Sequence, residues 1–157
     1  MDAERLQVAV YNALPRPLKQ LATRYGTPNF TVGSLAWLTD DGTRVLLGRP
    51  SYRAGWLPTG GFLRKGETPH ETLTREIEEE LGVSAEVLPH HRVAFDLRRQ
   101  GVTFVSVGVL PRGVALVLSP EVLETQWFPV DDMPAFPAHF SEGWLPEDRD
   151  AIARLCG

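Results

Sequence analysis

A short stretch of the chain, TREIEEELGV (residues 74–83), places four glutamates within five positions. If the stretch is helical, Glu76, Glu79 and Glu80 are spaced i, i+3 and i+4, so their carboxylates share one flank. Most charge runs of this kind form a solvated surface. Three carboxylates on one flank are also the oxygen-only ligand set that suits a hard divalent cation such as Mg²⁺ or Mn²⁺.

The charge of this flank is not balanced within the helix. Arg75 stands four residues from both Glu71 and Glu79, so it is expected to pair with both of them but not with Glu76 and Glu80 as well. Each pair of like charges costs about 0.2–0.5 kcal/mol, and a bound cation would remove that cost. Because magnesium in proteins usually also holds substrate phosphates, the flank indicates phosphate chemistry.

The helix that carries these glutamates has clear sequence boundaries. Thr68 and Glu71 form a capping box, with a proline between them at the first helical position. Gly82 can adopt the left-handed conformation that ends a helix. We therefore predict a helix over 69–81, with its apolar stripe, which should pack on the rest of the protein, at Leu73, Ile77 and Leu81.

The rest of the chain supplies the elements that must hold this helix in place. A helix is predicted over 3–25 with a break at LPRP (14–17), and another over 146–155. Asp41-Gly42 is a hairpin signal between two predicted strands. Strands are expected at 31–38, 43–48, 83–89, 91–99, 102–110, 113–119 and 124–130, with a short strand or loop at 55–62. Interleaved helices and strands indicate a mixed α/β fold.

Composition narrows the class of protein. The formal charge of −4 lacks the basic excess of a nucleic-acid binder, so a duplex is not an expected partner. No apolar run approaches a membrane span, and the acidic N-terminal residues do not resemble a signal peptide. The single cysteine, Cys156, forms no internal disulfide, which favours a cytoplasmic location. No linker or repeat divides the chain, so residues 1–157 are expected to form one domain.

Residues 61–83, GFLRKGETPHETLTREIEEELGV, resemble the Nudix box. That motif reads glycine, five residues, glutamate, seven residues, Arg-Glu, an apolar residue, any residue, Glu-Glu, any residue, glycine and an apolar residue. Every fixed position matches, and these positions are Gly61, Glu67, Arg75, Glu76, Ile77, Glu79, Glu80, Gly82 and Val83. The likeness extends over about 30–135, leaving 1–28 as a helical extension, and it implies an α/β/α sandwich with a mixed sheet.

The resemblance also implies a function and assigns roles. It implies metal-dependent hydrolysis of a nucleoside diphosphate linked to another moiety. Glu76, Glu79 and Glu80 would be the principal metal ligands, joined by a backbone carbonyl near Gly60. Arg75 would orient these glutamates. Glu67, together with Gly61 and Gly82, would support the loop and helix of the box. Many relatives have a glycine where this chain has Thr59.

The general base and the substrate contacts are less defined. Glu76 is one candidate base. Glu121 and Glu124, from the loop before a Trp-Phe strand, are the others, and Glu121 is slightly preferred because it follows the strand-breaking Ser-Pro. Arg49 and Arg53 are candidate phosphate ligands. Five aromatic side chains could stack on a base, but core packing is favoured for most of them; these are Tyr52, Trp56, Phe95, Phe140 and Trp144. His90, His91 and His139 are expected to lie in loops.

Two functions are compatible with the motif. The first is a pyrophosphohydrolase acting on a small nucleotide, such as a nucleoside triphosphate or a nucleotide sugar. The second is a non-catalytic module of the same fold that senses a nucleotide or binds a partner. Modules of the second kind usually lose one or more box glutamates, and all are present here, so the enzyme is favoured. A homodimer is compatible with either function.

Overall fold

A computed structural model describes residues 3–155 and divides the chain into two compact units, Met1–Phe30 and Thr31–Gly157. The first unit contains α1 (Ala3–Ala13) and α2 (Arg16–Gly26), so the predicted helical segment with its break at the prolines is confirmed. Cys156 lies outside the described residues. Among the residues that are described, no helix is long and apolar enough to cross a membrane.

The second unit is built on a sheet of seven strands with two further helices. In chain order the elements are β1 (Thr31–Thr39), β2 (Arg44–Pro50), β3 (Thr59–Phe62), α3 (Pro69–Leu81), β4 (Glu86–Val87), β5 (Arg92–Asp96), β6 (Gly101–Val109), β7 (Val122–Pro129) and α4 (Pro146–Ala153). Both the predicted mixed α/β class and the helix over 69–81 are confirmed.

Strand β1 is the centre of the sheet. It runs parallel to β6 along its whole length and antiparallel to β2 and β3, which pair with different halves of it. The main path of the sheet is β4-β6-β1-β2-β7, with β3 paired to β1 and β5 paired to β6. β1 is the most buried strand because elements cover both of its faces, and its residues 33–39 are all buried.

The two faces of the sheet carry separate apolar clusters. On one face, which we call the α3 face, Ala36 and Leu38 of β1 pack against Leu73 and Ile77 of α3. On the other, the α4 face, Leu35 and Trp37 of β1 belong to a cluster that includes Ile152 of α4. Alternate residues of β1 therefore point to opposite layers, which gives the α/β/α sandwich.

One predicted strand is wrong. Residues 113–119 were expected to form a strand, but they are irregular and bond to the end of α3. The backbone N–H groups of Val117 and Ser119 donate to the carbonyl oxygens of Leu81 (2.9 Å) and Glu80 (3.0 Å). The last carbonyls of a helix have no partner within the helix, and this segment supplies one. Its apolar side chains alternate because they pack on the α3-face cluster, which explains the strand-like pattern.

The ends of α3 follow the sequence signals. The Thr68 hydroxyl accepts a hydrogen bond from the Glu71 backbone N–H, and the Thr68 backbone N–H donates to the Glu71 carboxylate, which completes the capping box. Gly82 adopts a left-handed conformation, with φ of 65°, and its N–H donates to the Glu78 carbonyl. The register of the glutamates on α3 is therefore fixed from both ends.

A buried carboxylate joins α4 to the sheet. Asp148 is fully buried and accepts hydrogen bonds from Arg92 Nε (2.8 Å) and from the Leu145 backbone (2.8 Å), and His91 Nε2 lies 2.7 Å from it. Burial alone would raise the pKa of Asp148, but the bonds from His91 and Arg92 outweigh burial and lower it. His91 lies in a loop as expected, but its partner is 57 residues away and has no sequence spacing that could reveal it.

We expect Asp148→Asn to lower the free energy of unfolding by about 2–4 kcal/mol near neutral pH, because Arg92 then keeps a charge without a counter-charge. Urea denaturation measures the change, with Asp150→Asn on the exposed side of α4 as the matched control.

The native pKa of Asp148 is below its ordinary value of 3.8, so the carboxylate stabilises the fold above that pH and loses this effect as the pH falls through the native pKa. The difference between wild type and Asp148→Asn should therefore shrink in acid. A difference that does not change with pH would contradict this assignment.

Candidate active site

The Arg75 side chain forms hydrogen bonds with most of the groups that surround the site. Its Nε donates to Glu67 Oε1 (2.8 Å), its Nη1 to Glu76 Oε1 and to Glu79 Oε2 (3.1 Å), and its Nη2 to the Phe62 carbonyl (3.3 Å). The guanidinium is 15% exposed, so these bonds are partly shielded from water. One side chain thereby joins β3, the loop that follows it and two turns of α3.

The partners of Arg75 differ in part from those that helical spacing predicts. Pairing with Glu79 is confirmed, but Glu71 is held by Thr68 at the helix start and is not a partner. The expectation that Arg75 could not also pair with Glu76 is wrong, because the planar guanidinium presents several donors and serves three carboxylates. Arg64 adds a second cation at Glu79, at 3.2 Å.

Glu67 fixes the loop that leads into α3. Its Oε2 accepts hydrogen bonds from the Arg64 backbone (2.9 Å) and the Thr72 hydroxyl (2.9 Å) as well as from Arg75. The bond from Arg75, followed by that from the Arg64 backbone, lowers the pKa of Glu67 to about 2. Its carboxylate is therefore ionised at any physiological pH and is saturated with donors.

The glycines of β3 allow the carboxylates to approach the strand. A Cβ on Gly61 would overlap the Glu76 carboxylate, and a Cβ on Gly60 would lie 2.7 Å from the Leu35 Cα. Glu76 can therefore rest against the β3 backbone only because residue 61 has no side chain. This close contact between α3 and β3 places a carboxylate directly beside backbone groups that a ligand could share.

Glu80 is an acid of the site whose pKa is strongly raised. Burial and the neighbouring Glu76 carboxylate raise its pKa to about 7, and a hydrogen bond with the Thr59 side chain partly offsets them. Thr59 is buried, so the residue that departs from the glycine of many relatives acts directly on Glu80. The nearby charges of Glu121 and Glu79 add to the repulsion.

Glu121 and Glu124 lie at different places. The 113–119 segment is bonded to the end of α3 and delivers Glu121 near Glu80, where the Glu121 backbone carbonyl also accepts a bond from Ser51 N–H (2.8 Å). Glu124 instead faces Arg49 across the β2–β7 pair, with 2.9 Å between Arg49 Nε and Glu124 Oε1. Of these, only Glu121 lines the cavity described next.

A cavity of about 680 Å³ is lined at one end by Glu76, Glu80 and Glu121 and extends well beyond them. The other residues that line this end are Tyr52, Arg53, Gly60 and Gly61. Arg53 lies over the Tyr52 ring at 5.5 Å. The structure therefore brings together most of the predicted site residues, whereas Arg49, Glu79 and Glu124 stand outside the cavity wall.

The donors of the site fit a divalent cation in their chemistry, although they are not gathered into one group. Within residues 3–155, no three His, Cys, Asp or Glu side chains form a ready-made metal group. Arg75 accounts for part of this, because it holds Glu76 and Glu79. The chemistry of the donors nevertheless fits. Burial and the charge of Glu76 raise the pKa of Glu80, and a bound hard cation would offset the repulsion between these two carboxylates.

The sequence patterns did not indicate the residues at the other end of the cavity. Phe62, Thr103, His139 and Glu142 line it, and Glu142 Oε1 accepts a bond from the Thr103 hydroxyl (2.8 Å). Thr103 and Glu142 are 39 residues apart, so only the fold brings them together. Trp56, Phe140 and Trp144 pack against the α4-face cluster as expected, and Phe140 also lines the cavity.

Comparisons with known proteins agree with this arrangement. The model of the NUDIX domain family matches residues 29–149. None of the curated proteins compared with the chain gives a match. Among solved structures, a MutT NUDIX hydrolase from Burkholderia pseudomallei is 27% identical with a TM-score of 0.57, and the match covers 82% of this chain and 99% of that one.

Two other structures share the fold at lower identity. A UDP-X diphosphatase is 19% identical with a TM-score of 0.61, and the match covers 99% of this chain and 71% of that one. A dihydroneopterin triphosphate pyrophosphohydrolase from E. coli is 19% identical with a TM-score of 0.60, and the match covers 82% of this chain and 98% of that one.

We expect Gly61→Ala to weaken Mn²⁺ binding by about tenfold or more, because the added methyl group must displace the Glu76 carboxylate. Isothermal titration calorimetry measures the change. Gly26→Ala is the matched control, since a Cβ there meets nothing within 4 Å. Unchanged Mn²⁺ affinity in a folded Gly61→Ala protein would remove Glu76 from the metal site.

Proposed function

This chain belongs to the Nudix family, and we propose that it is a pyrophosphohydrolase that uses a divalent cation to cleave the diphosphate linkage of a small nucleotide by attack of water. The observation that most supports this is the convergence of Glu76, Glu80 and Glu121 on one cavity beside the β3 backbone at 60–61. Oxygen donors of this kind suit Mg²⁺ or Mn²⁺.

Glu76, Glu79 and Glu80 would hold the cation, together with the backbone carbonyl of Gly60. A bound divalent cation would neutralise the diphosphate and lower the pKa of a water molecule. Arg75 positions Glu76 and Glu79 through its hydrogen bonds. For Glu79 to join the cavity, its Oε2 atom must exchange its ion pairs with Arg64 and Arg75 for the cation.

Glu121 is the base that we assign to the attacking water. It lines the cavity and stands near Glu80 on a segment fixed to the end of α3. Glu76 is less suited to this role because one of its oxygens already accepts a bond from Arg75. Glu124 is paired with Arg49 outside the cavity wall. Proton transfer requires a group within hydrogen-bond reach, which favours Glu121.

Arg53 is the cation that we assign to the substrate phosphates. It lines the cavity near the acids, whereas Arg49 does not. A guanidinium can bind phosphate oxygens in a bidentate manner and would offset the negative charge that the glutamates add. The chain would therefore bind the diphosphate between a carboxylate-held metal and the exposed Arg53 side chain.

A substrate screen is the direct test of the function. Because two structures of this fold are named as a UDP-X diphosphatase and a dihydroneopterin triphosphate pyrophosphohydrolase, the panel should include nucleotide sugars and triphosphates. ADP-ribose and dinucleotides complete it. With Mg²⁺ or Mn²⁺ present, we expect phosphate-containing products from at least one class. No product from any class with either metal would refute the proposed hydrolysis.

We expect Glu80→Gln to reduce kcat on the substrate found by the screen on the order of 100-fold, because the amide loses the negative charge that would hold the metal. Steady-state kinetics at several Mg²⁺ concentrations measure the loss. Glu78→Gln is the matched control on the exposed face of α3. Full activity of Glu80→Gln would exclude Glu80 as a ligand.

We also expect Glu121→Gln to lower kcat by about 100-fold while KM stays within a few-fold, because the variant loses a proton acceptor but no substrate contact. Glu124→Gln should change kcat much less, since Glu124 forms an exposed ion pair with Arg49. Single-turnover rates of the two variants decide the assignment, and the reverse order of effects would assign the base to Glu124.

A further inference from the structure

The first compact unit, Met1–Phe30, lies almost entirely outside the matched domain. The family model begins at residue 29, so neither α1 nor α2 belongs to the domain that it describes. Every residue that lines the candidate active site belongs to the second unit. The proposed hydrolysis therefore leaves the first unit without a role, and its surface chemistry needs a separate explanation.

Helix α2 presents an apolar face to solvent. Leu18, Leu21 and Tyr25 are spaced i, i+3 and i+7, so they lie on one side of the helix. They are 47%, 53% and 76% exposed. Polar and apolar residues are separated more strongly in α2 than in α1, α3 or α4. Exposed apolar faces of this kind mark surfaces that bind a protein or a membrane.

Helix α1 adds an apolar groove to the same unit. Leu6, Val10 and Leu14 recur every four residues, and together with Gln7 and Tyr11 they line this groove, which has a volume of about 330 Å³. Leu6, Val10 and Tyr11 are each about half exposed. Both helices of the unit therefore carry apolar side chains that remain in contact with water.

The first unit is positively charged although the whole chain is acidic. Residues 5–30 contain four Arg or Lys and no Asp or Glu. Residues 31–157 contain 12 Arg or Lys and 18 Asp or Glu, so the rest of the chain has a formal charge of −6. Charge asymmetry of this kind indicates an anionic partner for the basic segment.

Lys19 connects the cations of α2 to the end of α1. Its Nζ donates a hydrogen bond to the Asn12 carbonyl oxygen (3.0 Å) and lies 5.6 Å from the centre of the Tyr11 ring. A cation thus lies close to an exposed aromatic ring. Lysine, arginine and tyrosine are the side chains that occupy the headgroup level of a membrane, where the apolar part of each side chain meets lipid and the polar end stays in water.

We propose that α1 and α2 dock this protein on an anionic membrane surface. The acyl chains would cover Leu18, Leu21 and Tyr25, and the lipid phosphates would complement the positive charge of residues 5–30. A basic amphipathic helix with leucines on its apolar face is typical of helices that lie in the membrane interface, and such a helix needs no apolar run long enough to cross the bilayer. The proposal does not depend on the proposed hydrolysis.

Other occupants satisfy only one of the two observations. A nucleic acid would attract the same cations but would leave Leu18 and Leu21 in water. The same face of a second copy would cover the leucines but would bring two positive segments together. An anionic lipid surface supplies both an apolar phase and negative charge.

Vesicle co-sedimentation with the full chain tests the proposal. Vesicles of phosphatidylcholine alone are compared with vesicles of equal parts phosphatidylcholine and phosphatidylglycerol, without divalent cations, which could bridge the acidic second unit to the lipid. Each cation near an anionic surface contributes about fivefold in binding, so the mixed vesicles should bind at least about tenfold more tightly. High salt should reduce this difference. Equal binding to the two vesicles, or no binding to either, would overturn the proposal.

Variants of the two sides of α2 assign the binding to this helix. Leu18→Ser combined with Leu21→Ser should weaken binding to the mixed vesicles by about 10- to 100-fold, because less apolar surface enters the lipid. Arg16→Gln should weaken it by about fivefold. The matched controls are the exposed residues Leu123→Ser and Arg98→Gln of the second unit, which should bind as wild type does. Losses of the same size in the controls would contradict the assignment to α2.

A fluorescent reporter on α2 distinguishes insertion from a purely electrostatic contact. All four native tryptophans lie in the second unit, so Tyr25→Trp adds a signal from the first. Its emission should move to shorter wavelengths with mixed vesicles, and an unchanged spectrum would contradict insertion.

Light scattering during gel filtration tests the second copy as the occupant. The Leu18→Ser, Leu21→Ser variant should have the same molar mass as wild type. If it changes a dimer to a monomer and leaves vesicle binding unchanged, the apolar face is an interface between copies and the proposal fails.

Discussion

The partly buried guanidinium of Arg75 is the interaction on which the site depends. A cation in this position would be costly without partners, and its bonds to Glu67, Glu76, Glu79 and the Phe62 carbonyl supply them. The same bonds fix the loop before α3, the register of two helical turns and the end of β3. The carboxylates proposed to hold the metal and the cavity-lining Phe62 are therefore positioned by the same side chain.

The local features of the site could be predicted from sequence because they depend on neighbours along the chain. The bounds of α3, from the capping box to Gly82, follow from residues within a few positions of each end. The Nudix box could be recognised in the sequence because it lies within one loop and one helix, and the family match over residues 29–149 confirms the resemblance. The predicted pairs of Arg75 were only partly correct, because helical spacing cannot show that a guanidinium reaches Glu76 and Glu67.

The features that sequence could not provide all depend on contacts between distant segments. Residues 113–119 alternate like a strand, yet their backbone groups bond to the carbonyls at the end of α3. This segment, and not a strand edge, delivers Glu121 near Glu80. In the same way, Glu142 meets Thr103 and His91 meets Asp148 only after the chain has folded. A pattern of apolar residues reports that a face is buried, but not which backbone it pairs with.

The position of β3 limits the shape of molecule that the cavity can accept. Glu76 and Glu80 reach the cavity on the face of this strand where Gly61 lies, and the Phe62 side chain lies on the other face. A ligand that filled both ends of the cavity would therefore have to bend at the strand edge. Only a freely rotating linkage can form that bend, whereas a fused ring or a stiff rod cannot. A phosphate anhydride is such a linkage, so a ligand of the proposed kind that filled both ends would place its flexible bond, and neither rigid end, beside Glu76 and Glu80.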